Sequence, residues 1–328
     1  MIGQIRKIGA FLLVVLLIGS IIGCGKKEKV EVKKRKVPSF ILVPKSVGLP
    51  YWAEVERGMN DAAKELGVKA IFNGPPEAIS SGQISIIEGA ISRGIDGIGV
   101  SPNEPGALEG IIGRATERGI PVVTFDSDAP KSLRFSYIGT DNYEAGKVLG
   151  KKVVKIVGEK GKIAVLTGGL GARNLNRRIE GLKEVISSYP GIKIVTLQAN
   201  NDDESLALSQ AEAILQSHPD LSAFVGINAA AAPGAARALR TVNKKGTVKI
   251  VGFDTVPMTR EFIRGGYIQG TVGQRPYLMG YVSIKVLYDI YMNERMKIPE
   301  EINTIDPNID TGIIFVTAEN IDKYFPKN

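Results

Sequence analysis

Short apolar runs alternate with amphipathic stretches along almost the whole chain, and the series occurs twice. Runs at 40–43, 68–72, 95–100 and 121–125 are separated by helical patterns at 51–66, around Ile84, Ile87 and Ile91, and at 105–118. In 51–66 the residues Val55, Met59, Ala62, Ala63 and Leu66 keep the i, i+4, i+7, i+8 spacing of one helix face. Gly67, Gly94 and Gly119 stop the three helices. Strands joined by helices of this length imply a parallel sheet covered on both faces. A short strand at 136–138 follows, and Thr140 or Asp141 then caps a helix at 142–157. The order now recurs, with strands at 162–166, 193–197, 223–227 and 249–253 and helices at 175–188, 204–216 and 232–240. Phe125-Asp126 and Phe253-Asp254 lie 128 residues apart, as do Pro105-Gly106-Ala107 and Pro233-Gly234-Ala235. No period of 20–50 residues is present, which excludes a solenoid. The expected fold is therefore α/β, with two doubly wound parallel-sheet lobes. A strand at 267–272, a helix at 276–291 and a strand at 313–316 remain, and this chain has to pack back on the first lobe.

The 328 residues suffice for one core per lobe. The net charge of +8 is a property of the start: residues 1–38 carry nine basic and two acidic groups, leaving 33 basic against 32 acidic. No basic groove follows, and no nucleic-acid partner is expected. Residues 1–23 read as an export signal, with Arg6 and Lys7 before an apolar run. That run, 8–23, is 16 residues long, short of the roughly 20 that a spanning helix needs. Ile21-Ile22-Gly23-Cys24 resembles a bacterial lipobox. The resemblance implies cleavage before Cys24, acylation there, and a lipid anchor on the outer face of the membrane. Cys24 is the sole cysteine, so no disulfide framework is possible within one chain. Residues 24–37 are charge-dense and lack a hydrophobic period, as in a solvated tether.

Enzyme chemistry finds little support. The one histidine, His218, precedes Pro219 at a helix end, and no G-x-S-x-G, H-E-x-x-H or Walker A string occurs. With one His and one Cys, a transition-metal site is not expected, nor is a cofactor. Gly168-Gly169-Leu170-Gly171, between a strand and a helix, reads as a turn that needs glycine. A binding role fits better, because polar groups fall where strands end. Asp126 and Asp254 are paired acceptors, Asn228 donates and accepts, Arg178 follows on a helix, and Gln274 follows the late strand. Tyr51 and Trp52 open the first helix and supply flat apolar faces. Such a kit suits a neutral polyhydroxyl ligand.

These strings carry a likeness. VVTFDSD, YIGTDNYEAGK, INAAAAPGAARAL, IVGFD and TVGQRPYLMGY together resemble the type I periplasmic sugar-binding proteins, the ribose-binding group, across residues 38–325. The resemblance implies two lobes joined by a three-segment hinge. It places 38–139 with 275–306 in the first lobe and 140–274 with 307–328 in the second. It implies closure on a sugar or polyol and delivery to the permease subunits of an ABC importer, by a monomer. Presentation of ligand to a membrane receptor kinase is the alternative. The implied ligand positions are Tyr51, Trp52, Asp126, Arg178, Asn228, Asp254 and Gln274. Lys45, Asn174 and Asn176 are further polar candidates. Departures occur at Ser127, where ribose binders have Arg, at Leu49, where they have Asn, and at 201–203, which lacks their aromatic wall. Another pentose, a hexose, a polyol and an acidic ligand all stay open.

Overall fold

The computed structural model describes residues 36–296 and 305–326; the export signal, the lipobox and most of the tether lie outside them. The first lobe opens β1 Ser39–Val43, α1 Pro50–Leu66, β2 Lys69–Phe72, α2 Ser80–Ser92, β3 Gly97–Val100, α3 Pro105–Glu117, β4 Val122–Phe125 and β5 Ser136–Gly139. The second runs α4 Asn142–Val157, β6 Gly161–Thr167, α5 Arg173–Ser187, β7 Ile192–Ala199, α6 Glu204–Ser217, β8 Leu221–Gly226, α7 Ala231–Thr241, β9 Lys249–Phe253, α8 Pro257–Arg264 and β10 Gly270–Gly273. The chain returns through α9 Pro276–Met296, β11 Asn308–Asp310, β12 Ile314–Val316 and α10 Ile321–Tyr324.

The two sheets have one topology. Their strand orders are β2-β1-β3-β4-β5-β11 and β7-β6-β8-β9-β10-β12. Every pairing is parallel except β10 with β12. The central strands of each sheet are buried on both faces, which explains their unbroken apolar runs. Phe40 and Leu42 face α1 and α9, while Ile41 and Val43 face α2 and α3, as the two-residue pleat requires. In the second lobe one core lies under α4 and α5 and the other under α6, α7 and α8. Helix ends follow local chemistry. Pro50 begins α1, and Gly67 ends it at φ 66°. Asp141, not Thr140, caps α4, accepting from the amides of Tyr143 and Glu144.

Three segments cross between the lobes: 139–142, 273–276 and 310–314. They are tied together. Thr140 Oγ1 donates to Gln274 Oε1 at 2.9 Å, and the amide of Thr311 donates to the carbonyl of Gly139 at 2.8 Å. Three features differ from the expectation. Of the chain expected to pack back on the first lobe, α9 does so, but β10 and β12 join the second sheet. β11 belongs to the first sheet through its pairing with β5, so residues 308–310 are not in the second lobe. The strand expected at 267–272 starts at Gly270, and a helix not anticipated, α8, precedes it. β11 has only three residues, two of them exposed, and backbone pairing places it without an apolar pattern.

Candidate ligand site between the lobes

In a doubly wound sheet, ligands gather beyond the carboxyl ends of the strands where the strand order reverses. Here the order reverses between β1 and β3 and between β6 and β8, and both such edges face one cleft. Lys45, Leu49, Tyr51, Trp52 and Asp126 line it from the first lobe. Asn174, Arg178, Asp202, Asn228 and Asp254 line it from the second, and Gln274 lines it from the crossing segment. The space among them, open solvent at its mouth included, is about 340 Å³.

Asp126 and Asp254 adopt the left-handed backbone conformation, at φ 59° and φ 68°. Aspartate tolerates this better than most residues, at a cost of order 1 kcal/mol. The surroundings hold both. The amide of Asp126 donates to Ile138 O and that of Asp254 to Val272 O, each on the adjoining strand. The carbonyl of Asp126 accepts from Tyr137 Oη at 3.0 Å, and that of Asp254 accepts from Thr271 Oγ1 at 2.8 Å. Tyr137 and Thr271 occupy equivalent places on β5 and β10. The bend turns each carboxylate off the strand and into the cleft.

The side chains then diverge. Asp126 Oδ1 accepts from Tyr51 Oη at 2.9 Å, and Oδ2 accepts from Ser101 Oγ at 2.8 Å. Lys45 Nζ lies 3.8 Å from Oδ2. Asp254 has one side-chain donor among the described residues, Gln274 Nε2 at 2.8 Å from Oδ1. Burial raises the Asp254 carboxyl to about 6, against the opposing pull of Arg178 and the Gln274 hydrogen bond. Burial, and next the negative charge of Asp126, holds the Tyr51 phenol well above its ordinary range, so it stays a donor.

Arg178 is 1% exposed. Its Nε donates to Asn142 Oδ1 at 2.8 Å and its Nη1 to Ile227 O at 3.0 Å, and the guanidinium lies 4.1 Å over the Phe253 ring. Nη2 is buried with no hydrogen-bond partner among the described residues. An unsatisfied guanidinium hydrogen costs several kcal/mol in a dry site, so it points to a polar group that arrives from outside. Trp52 Nε1 is likewise buried and unpartnered, and its ring packs edge-on against Tyr51 and Phe125. Lys45 Nζ spans the cleft to Asn174 Oδ1 at 2.8 Å, a direct bond between lobes.

Residues 40–295 match the family described as periplasmic binding protein domain. The chain belongs to the type I periplasmic sugar-binding proteins. Among solved members, a solute-binding protein of an ABC transporter from Burkholderia graminis, in complex with D-arabinose, is 37% identical. The match covers 88% of this chain and 97% of that one, with a TM-score of 0.82. The xylose/arabinose-binding protein XylF of Sulfolobus acidocaldarius is 29% identical over 290 residues, 84% of this chain and 70% of the relative. A third relative, solved as the XylFII-LytSN complex, is 31% identical with a TM-score of 0.78, covering 86% of this chain and 98% of that one.

Within this periplasmic binding protein, nine of the ten ligand candidates read from the sequence line one cleft. Asn176 does not. It lies in a separate surface depression beside Pro105 and Lys131, and its Nδ2 donates to Leu170 O at 2.8 Å. Asn174 and Arg178 are four apart on α5 and share a face, whereas Asn176 is roughly 200° round the helix from Asn174. The sequence reading missed Asp202 and Ser101. Asp202 precedes Asp203, the cap of α6, and reads as part of the same cap. The run forms a turn, as expected, but Gly168, Gly169 and Gly171 do not have a positive φ, so close approach and not backbone conformation asks for glycine. A side chain at Gly168 would strike Asp202, and one at Gly171 would strike Glu104 of the first lobe.

Proposed function

We propose that the chain is an extracytoplasmic receptor that captures a sugar or polyol by closing its lobes, and hands it to an ABC importer. The unpartnered Arg178 Nη2, buried among carboxylates from both lobes, carries this reading. Hydroxyl groups supply what that site lacks. They accept from Arg178 and donate to Asp126 and Asp254, each charge-assisted bond contributing about 1.5–3 kcal/mol. Trp52 and Tyr51 cover the apolar face of a ring. The three crossing segments form the hinge about which the lobes turn, and relatives that bind arabinose and xylose support the ligand class. A lipid on Cys24 would hold the receptor at the membrane.

Calorimetry against pentoses, hexoses and polyols tests the reading: at least one binds, and Arg178→Ala removes that binding. Silence across the whole panel would end it. Cys24→Ser moves the protein from the membrane fraction to the medium; if it stays with the membrane, residues 1–23 serve as the anchor. The XylFII-LytSN complex favours a second reading, ligand presentation to a sensor. Deleting the gene separates the two. Loss of sugar uptake marks an importer subunit, while loss of sugar-induced transcription with uptake intact marks a sensor.

A further inference from the structure

Asp202 stands where the cleft meets its mouth, and the residues around it are arranged to aim it inward. Asn201 and Asp202 are both left-handed, at φ 51° and 63°. Two such residues in succession need fixing from outside. The fully buried Asn200 does this: its Oδ1 accepts from the Asp202 amide at 3.0 Å and from Asn228 Nδ2 at 2.9 Å. Asn200 Nδ2 donates in turn to Asn228 Oδ1 at 3.2 Å. Asn228 Nδ2 also donates to Asp202 Oδ1 at 2.6 Å.

A side-chain amide has two hydrogens to give. Both hydrogens of Asn228 are committed, one to Asn200 and one to Asp202, so it has no donor left for a ligand. Asp202 Oδ2 has no donor among the described residues, and the carboxylate lines the cavity. Gly168 leaves room for it, since a Cβ there would lie 2.7 Å from Oδ1 and 3.0 Å from Oδ2.

We propose that Asp202 is a direct ligand contact of the second lobe, that Asn228 positions it, and that together they restrict the cleft to neutral, hydroxyl-rich rings. The proposal rests on the sugar-receptor reading and deepens it. Three carboxylates, Asp126, Asp202 and Asp254, face two cations, Lys45 and Arg178. Lys45 is already engaged by Asn174 and lies beside Asp126. A ligand carboxylate would meet surplus negative charge in a narrow space, whereas ring hydroxyls would meet acceptors. The acidic ligand that the sequence left open is thereby rejected.

Calorimetry on the full chain with D-xylose, D-arabinose, L-arabinose, D-glucose and D-galactose, against D-glucuronate and D-galacturonate, tests this. The expected result is a neutral sugar bound about 100-fold or more tighter than either uronate. Asp202→Asn, with an unchanged melting temperature, should narrow that gap at least about tenfold. If Asn228 acts through Asp202, Asn228→Ala adds no further loss of affinity in an Asp202→Ala background. A uronate bound as tightly as the neutral sugar overturns the proposal. So does an unchanged gap in Asp202→Asn, or additive losses in the double variant. Failure of every sugar instead overturns the receptor reading, and this inference falls with it.

Discussion

Asp126 and Asp254 end equivalent strands in the same left-handed bend, yet their carboxylates have different company. In the first lobe the acid is met by Tyr51 and Ser101, with Lys45 nearby. In the second, Gln274 is its one side-chain donor among the described residues, and its carboxyl rises to about 6. The backbone device is common to both lobes and serves to aim an acid. The side-chain setting is particular to each lobe and decides whether that acid is settled before a ligand arrives. The first lobe is the prepared half of the site, and the second gains most when a ligand brings hydrogen-bond donors.

Isosteric substitution should separate the two most sharply. Asparagine tolerates the left-handed backbone, so Asp126→Asn and Asp254→Asn change charge with little backbone penalty. Each should weaken sugar binding about tenfold or more in calorimetry. Their effects on stability should have opposite signs in urea unfolding without ligand. Asp126→Asn leaves Lys45 and two hydroxyl donors poorly matched and destabilises by about 1–3 kcal/mol. Asp254→Asn removes a charge whose burial cost outweighs the pull of Arg178 and Gln274, and stabilises at pH 7 by roughly 2–3 kcal/mol, from about 1.4 kcal/mol per pH unit of displacement. The same sign for both would erase the contrast.

Acidity sharpens the comparison next. Asp254 goes from 3.8 to about 6 on folding. Its contribution to stability is therefore fully present below pH 3.8 and is lost as pH rises through 6. The ligand-free wild type, compared with Asp254→Asn, should gain stability on acidification from pH 7 to 4. Sugar affinity should do the reverse, falling below pH 6 by up to about tenfold per unit as the acceptor is protonated. A flat affinity profile in the wild type would separate Asp254 from the ligand.

Helix packing gives a smaller test. A Cβ at Gly280 of α9 would sit 2.0 Å from the carbonyl of Val55 on α1, and one at Gly146 of α4 would sit 2.2 Å from the carbonyl of Arg178 on α5. Both Gly→Ala changes should destabilise the fold through overpacking, by about 1–3 kcal/mol, and lower the melting point accordingly. Gly146→Ala alone should also weaken sugar binding several-fold, because the helix it displaces carries Arg178. Last, Asn176→Ala should leave affinity within about twofold, as expected of a surface position outside the cleft.

The doubled fold was legible because parallel strands buried on both faces are written as apolar runs, and helix ends as Gly, Pro and Asp. The site was legible where a polar residue closes such a run, as at Asp126, Asn228 and Asp254. Asn176 misled because adjacency in sequence says little about the face of a helix. Asp202 stayed hidden behind the capping role of its neighbour Asp203. β11 was invisible because its three residues hold no apolar pattern and take their place from pairing with β5.

By itself, then, the sequence determined two lobes of one topology, with acids at the ends of matching strands, since burial and local backbone preference are written residue by residue. Only the tertiary structure decided which donors meet which acid, that Asn228 is engaged by Asn200 and Asp202, and that Arg178 keeps one nitrogen unpartnered. Those outcomes depend on side chains from remote segments meeting within about 3 Å, a condition that no local pattern encodes.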